Sequence, residues 1–243
     1  MAAINSLLNV NNSLLNNATL INTKNTPSNL AVFEYFLPKI KNKRVTVIGR
    51  YPGIDRYAGY CDLLVVEKNP QGADYPEQAC EYLLPESEWV FITGTSIPNK
   101  TFPRLMELSR NSNVVLMGPT VPWLAELCDM GVDYLAGIKV EDPVELKNTV
   151  AEGGGTRIFE RGVNYYVADM ANAKLNTIKK EIAEVVAKRD HYKAELEAWQ
   201  SGFTMNPVPR LRELEKLDYE LSELDTRYKK LWDARNSLHA FSN

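Results

Sequence analysis

Between Arg44 and Val150 the chain repeats one pattern: a short apolar run, a turn rich in glycine, proline or hydroxyl residues, then a stretch with helical spacing. The runs Val45–Ile48, Leu63–Val66, Trp89–Thr93, Val114–Met117 and Tyr134–Ala136 are apolar throughout or nearly so and short enough to be buried strands. Helical candidates lie between and after them at Glu77–Leu83, Thr101–Arg110, Pro122–Met130 and Pro143–Val150. A strand that is apolar on both faces has to be covered on both, and alternating helices do this. The pattern predicts an α/β fold, a Rossmann-like and mostly parallel sheet with flanking helices. Right-handed crossovers then gather the turns after the strands at one edge of the sheet.

The chain beyond residue 169 keeps a different period. Ile178, Ile182, Val185, Arg189, Tyr192, Leu196 and Trp199 step by four and three, the spacing of a coiled-coil seam. Gly202, Pro207 and Pro209 interrupt it, and a second seam runs through Leu211, Leu214, Leu217, Leu221, Leu224, Tyr228 and Leu231. Two amphipathic helices with a short connection are expected to fold back as an antiparallel hairpin. Ile182, Val185, Tyr192, Leu196, Leu214, Leu217, Leu221 and Leu224 are its expected interface residues. Such a hairpin buries one stripe per helix, so a homo-oligomer or a protein partner is expected on the remaining apolar surface.

Residues 1–29 form an Asn-rich arm, with Asn5, Asn9, Asn11, Asn12, Asn16 and Asn17. Asn competes with helix through local side-chain bonds, so the arm reads as irregular or weakly helical. Its Leu7, Leu8, Leu14, Leu15 and Ile21 suit an apolar groove, on a partner in this reading. Ser28 is expected to cap a helix over Leu30–Leu37. Residues 151–169, with Gly153, Gly154 and Gly155, read as a flexible turn and a short hairpin or edge strand. The expected organisation is the arm at 1–29, a Rossmann-like domain at 30–169 and the hairpin at 170–243.

Composition excludes several classes. A net charge of −3 gives no polycationic footprint, so no nucleic-acid partner is expected, and Lys39, Lys41, Lys43 and Arg44 read as a solvated lead-in to a strand. No apolar stretch reaches the ~20 residues of a membrane span, nor does the amino terminus show a secretory pattern. A cytoplasmic location without membrane contact is expected. Cys61, Cys80 and Cys128 are too widely spaced for a disulfide framework or a CxxC site and read as buried small apolar groups. The only histidines, His191 and His239, stand outside the α/β region, which disfavours hydrolytic triads and imidazole cages there.

Chemistry is therefore sought in the turns after the strands, where open α/β sheets bind ligands. Gly49-Arg50-Tyr51-Pro52-Gly53 offers two glycines and a cation for an anion, but Pro52 removes one amide donor and the motif is not GxGxxG. It reads equally as a tight turn. Glu67 ends the second run and suits ribose hydroxyls, or else a surface pair with Lys68. Thr93-Gly94-Thr95-Ser96 precedes Asn99-Lys100-Thr101, a polar-ligand turn or simply a helix cap at Asn99. Gly118-Pro119-Thr120 closes the fourth run, with Thr120 expected to point into the crevice. Gly49, Arg50, Gly53, Glu67, Thr93, Gly94, Thr95, Asn99, Gly118 and Thr120 are the expected ligand-binding residues.

These residues carry a family resemblance. Gly49-x-x-Pro52, Thr93-Gly94-Thr95 with Asn99 and Thr101, Gly118-Pro119-x-x-Pro122, Gly131-Val132-Asp133 with Ala136-Gly137, and Glu152-Gly153-Gly154-Gly155 follow in order. Over residues 30–168 the chain resembles the Rossmann-like domain of the family described as "Putative heavy-metal chelation". The resemblance implies metal handling, and an additional amino-terminal domain in many members that the Asn-rich arm replaces here. Cys61, Asp62 and Glu67 are the metal candidates within that domain. The terminal hairpin resembles small Rop-like hairpins, some encoded beside nitrogen-fixation genes, which implies a role next to a metallocluster enzyme. There His191 and Glu195, spaced i,i+4, form either a metal edge or a solvent-facing pair. Three readings follow: a non-catalytic accessory protein binding a small ligand or a metal ion, an enzyme using a nucleotide or S-adenosylmethionine-like cofactor, and a purely structural oligomer.

Overall fold

The computed structural model describes residues 1–8, 12–21, 27–159, 162–202 and 211–240. The chain divides into two compact units, Met1–Met170 and Ala171–Asn243.

In the first unit the described strands form one sheet: β1 (Thr19–Leu20), β2 (Arg44–Ile48), β3 (Asp62–Glu67), β4 (Tyr75–Pro76), β5 (Trp89–Thr93), β6 (Asn113–Met117), β7 (Tyr134–Val140) and β8 (Val163–Asp169). Their order is β1-β8-β7-β6-β5-β2-β3-β4. From β4 to β7 all pairings are parallel, while β8 runs antiparallel to β7 and β1 antiparallel to β8. The parallel block has the doubly wound order of a Rossmann fold, and its direction of winding reverses between β2 and β5. The helices are α1 (Ala2–Leu8), α2 (Ser13–Asn16), α3 (Ala31–Ile40), α4 (Cys80–Leu83), α5 (Phe102–Leu108) and α6 (Pro143–Ala151).

Alternation along the strands gives each face its own core. Val45, Val47, Trp89, Phe91, Val115, Met117, Tyr134 and Ala136 pack with Phe33, Phe36 and Ile40 of α3. The rings of Phe36 and Phe91 meet edge-on with centroids 5.7 Å apart. Thr46 lies on the opposite face, fully buried, and its hydroxyl is 2.7 Å from Ser87 Oγ, which donates to Leu83 O.

Several expectations need correction. Pro122–Met130 is not an α-helix; only a 3-10 turn forms, over Ala125–Cys128. The Trp123 indole lies across Gly137 and donates to Ile138 O at 3.1 Å, which draws Leu124 into extended backbone. The strand starting at Tyr134 continues to Val140 because β8 pairs with its whole length. β8 is not an edge strand, since β1 lies outside it. Ser28 makes no side-chain cap, and the helix covers Ala31–Ile40 after a 3-10 turn at Ser28–Leu30. The amino-terminal arm packs on its own unit: Leu15 and Ile21 are buried, Asn5 and Asn12 donate to Thr120 O and Trp123 O, and Ile21 N donates to Tyr165 O. Leu7, by contrast, is 80% exposed.

The second unit holds α7 (Ala171–Gln200) and α8 (Leu211–Ala240). Ile178, Val185, Leu221 and Leu224 form its core, joined by Ile182, Val186, Leu217, Tyr228 and Leu231. Cross-helix contacts fix the antiparallel sense: Lys179 lies over the Tyr228 ring, Glu181 pairs with Arg227, and Arg189 reaches Asp218. Leu214 is also buried, and Tyr192 and Leu196 are half-buried. Trp199 and Leu211, at the connecting end, are 40% and 53% exposed, so the seam loosens there. No described helix is long and apolar enough to cross a membrane.

Candidate functional site

Where the winding reverses, the loops after β2 and β5 lead away from one another and leave a crevice at the carboxyl ends of the strands. A cavity of about 310 Å³ occupies this place. Ile48 and Gly49 reach it from β2, Val66, Glu67 and Lys68 from β3, and Thr93, Thr95, Ser96, Asn99 and Thr101 from the turn after β5. Glu77, Cys80 and Leu105 complete the wall. Five of the ligand residues expected from sequence thus share one cavity: Gly49, Glu67, Thr93, Thr95 and Asn99.

Local chemistry fixes the walls. Gly49 has φ +95°, a left-handed conformation that side chains resist, and its amide bonds Val66 O at 2.9 Å. The turn then doubles back so that Arg50 N donates to Glu67 Oε2 at 2.8 Å, while Lys68 N donates to Oε1 at 2.8 Å. Glu67 is therefore held by two main-chain amides, and its partner at Lys68 is the backbone rather than the ammonium. A carboxylate has about four acceptor positions, so two remain open. Across the crevice the Thr93 and Thr95 hydroxyls lie 3.1 Å apart. Tyr51 packs against Phe33 of α3, and burial pushes its phenol up to about 12, against an opposing influence of Thr93. Ser96 is 2% exposed, and its Oγ has no hydrogen-bond partner among the described residues.

Other expected residues fall elsewhere. Arg50 is not available to an anion: its guanidinium pairs with Asp74 and, at 2.5 Å, with Asp55. With Pro52, Gly53, Asn69 and Gln71 it lines a neighbouring cavity of about 520 Å³, which shares Glu67 with the first. Gly94 is a packing position. A Cβ there would come within 2.8 Å of Thr120 Oγ1 and 3.0 Å of Val121 N. Thr120 thus packs behind Gly94 instead of entering the crevice, and neither it nor Gly118 lines the cavity. Asn99 lines the cavity but does not cap α5, whose N-cap is Thr101.

The metal candidates do not converge. Asp62 and Glu67 stand at opposite ends of β3, roughly 16 Å apart at the usual rise per residue. Asp62 pairs with Arg44 at 3.0 Å, and Cys61 is buried with its Sγ on Tyr57 O. His191 Nε2 and Glu195 Oε1 are 3.3 Å apart on an exposed face of α7. Among the described residues no group of three or more His, Cys, Asp or Glu side chains is placed to hold a metal ion. In the cavity the one thiol is Cys80, pushed up to about 11 by burial first and then by Glu77 and Glu81. A thiophilic metal draws on several thiolates or imidazoles, and this wall of hydroxyls and two carboxylates offers one thiol and no imidazole, so it does not fit one.

Ser96 belongs to the polar turn singled out from sequence, though not to the expected ligand residues. Sequence reasoning missed Glu77, Cys80 and Leu105, whose places depend on how Glu77–Leu83 and α5 pack, which no local motif encodes.

The family model described as "Putative heavy-metal chelation" (DUF364) matches residues 31–169. Uncharacterized protein MJ0500 of Methanocaldococcus jannaschii is 35% identical over 86 residues, which is 33% of each chain. A crystal structure from Desulfitobacterium hafniense, a DUF364 protein of unknown function, superposes with a TM-score of 0.53 at 34% identity over 56% of either chain. A second, DUF364 protein PH1506 of Pyrococcus horikoshii, gives 0.57 at 24% identity, a likeness of fold, over 69% of this chain and 66% of that one. The chain therefore spans a third of the length of the curated relative and little more than half of the Desulfitobacterium structure. The sheet, its ordered series of strand-end turns and a family match over more than half of the sequence agree: this chain belongs to the DUF364 family.

Proposed function

We propose that this protein is a non-catalytic accessory protein whose α/β unit holds a small polar ligand in the crevice between β2 and β5, and whose hairpin docks a second copy or a protein partner. The observation that carries the reading is the cavity itself, built where the winding reverses and walled by hydroxyls, one amide-held carboxylate and apolar side chains. Its volume suits a single small molecule rather than an extended one. A binding role is favoured over catalysis because the wall supplies no imidazole, and its thiol is held protonated by burial. Trp199 and Leu211, exposed at the connecting end of the hairpin, are the surface offered for docking. A station beside a metallocluster enzyme is the form of this reading that the hairpin's resemblance supports.

The test is a thermal-shift panel on the full chain with sugars, nucleosides, nucleotides, S-adenosylmethionine and divalent metal ions. A ligand at 100 times its Kd stabilises the native state by ~2.7 kcal/mol. The expected result is stabilisation by a small polar compound that is lost in Thr95→Trp, which fills the cavity mouth from an exposed position. No shift with any compound, or one unaffected by Thr95→Trp, overturns the reading.

A further inference from the structure

We infer that the crevice recognises the vicinal diol of a ribonucleoside, with Glu67 as the diol acceptor and Ser96 as a second polar contact; this rests on the crevice being a ligand site. Three independent features converge. Glu67 ends the strand next to the one that opens the doubly wound block, where a carboxylate faces a bound ribose in folds of this winding. Its side chain is already aimed by Arg50 N and Lys68 N, and each oxygen keeps a lone pair free. Two hydroxyls on adjacent carbons match two such oxygens.

The second feature is Ser96. A buried hydroxyl without a partner is costly to retain, and this one belongs to a residue in the wall of the same cavity as Glu67. A polar atom on the ligand relieves that cost. The third is the apolar part of the wall, Ile48, Val66 and Leu105, a surface for the flat face of a base.

The same geometry argues against a pyrophosphate. After β2 comes a 3-10 turn at Ile54–Tyr57, not the opening of an α-helix. Arg50 N and Lys68 N are spent on Glu67, Pro52 carries no N–H, and the Arg50 guanidinium is neutralised by Asp55 and Asp74. A nucleoside fits where a dinucleotide lacks its cradle.

Isothermal titration of the full chain with adenosine, 2′-deoxyadenosine, free ribose and NAD tests the inference. Adenosine is expected to bind at least tenfold tighter than 2′-deoxyadenosine, and tighter than ribose or NAD. In Glu67→Gln the preference for the 2′-hydroxyl should shrink severalfold. Ser96→Ala removes a hydroxyl that has no partner to lose, so it should weaken adenosine binding without lowering the melting temperature of the free protein. Equal affinity for adenosine and the 2′-deoxy compound, tighter binding of NAD or ribose, or unchanged binding in Ser96→Ala overturns the proposal. If none of the four compounds binds while the thermal-shift panel yields a ligand sensitive to Thr95→Trp, the diol assignment fails and the crevice reading stands.

Discussion

The α/β unit and the helical hairpin use their apolar residues in opposite ways. In the first, the sheet buries side chains on both faces, and its polar turns are collected at one rim by the winding of the chain. In the second, one narrow stripe is buried and most of each helix surface is solvent-facing. A layered core positions a site as a by-product of its topology, because every strand-end turn inherits a place. A two-helix stripe fixes a register and leaves the choice of partner to the rest of its surface.

The largest effect that separates the two concerns the stripe. Leu221 is 8% exposed among Ile178, Val185 and Leu224. Leu221→Asp removes most of its contacts and buries a carboxylate without a partner, a cost of about 3 kcal/mol or more. Hydrogen exchange in peptides from 171–200 and 211–240 should rise steeply and helicity should fall. Unchanged protection there would mean that this stripe does not hold the hairpin together.

A smaller effect tests whether the rim of the sheet is as tightly specified. Gly94→Ala forces a methyl group against Thr120 Oγ1 and the backbone at Val121, so the turn after β6 must shift. Overpacking of this kind costs about 1–3 kcal/mol. Chemical denaturation should show that loss, and the crevice should lose ligand response, since Thr93 and Thr95 flank the displaced residue. A variant as stable as the parent would show that the two turns are not in tight contact.

The same contrast explains what could be read from sequence. Strands β2, β3, β5 and β6 lie within one residue of the runs seen in the sequence, because a buried strand needs a continuous apolar run and little else has that form. The hairpin seam was equally plain, from Ile178 to Leu231. β1 was invisible: Thr19–Leu20 has no period, and only β8 makes it a strand. Pro122–Met130 had helical composition, yet the Trp123 side chain settled that segment through contacts with Gly137 and Ile138. For the site, Gly49, Glu67, Thr93 and Thr95 were legible because topology alone places strand ends. Arg50 was not, since its role depends on Asp74, far along the chain and with a side chain only 2% exposed.

The smallest effect is a pH dependence confined to the layered core. Cys80 is pushed up to about 11 and Tyr51 to about 12, in both cases chiefly by burial, and Tyr57, Tyr134 and Tyr165 are raised by burial as well. These are acids whose neutral form the fold prefers. Above the ordinary thiol value the unfolded chain releases its proton while the folded one keeps it, so the folded state binds more protons and stability must fall as pH rises. The loss begins near pH 9, reaches on the order of 1 kcal/mol by pH 10, and continues beyond the range of about 11 to 12 in which Cys80 and Tyr51 ionise in the fold, because the other three tyrosines are raised further. In the hairpin the raised tyrosine is Tyr219, which owes its shift to a hydrogen bond with Glu223 on an exposed face and adds little. Urea titrations between pH 8 and 10.5, followed by hydrogen exchange in peptides from each unit, should show protection falling in residues 44–140 ahead of 171–240. Cys80→Ala should flatten the early part of that fall. Stability that stays level through pH 10 would mean that these groups titrate as they do in water, and that the core around the crevice is wetter than its packing indicates.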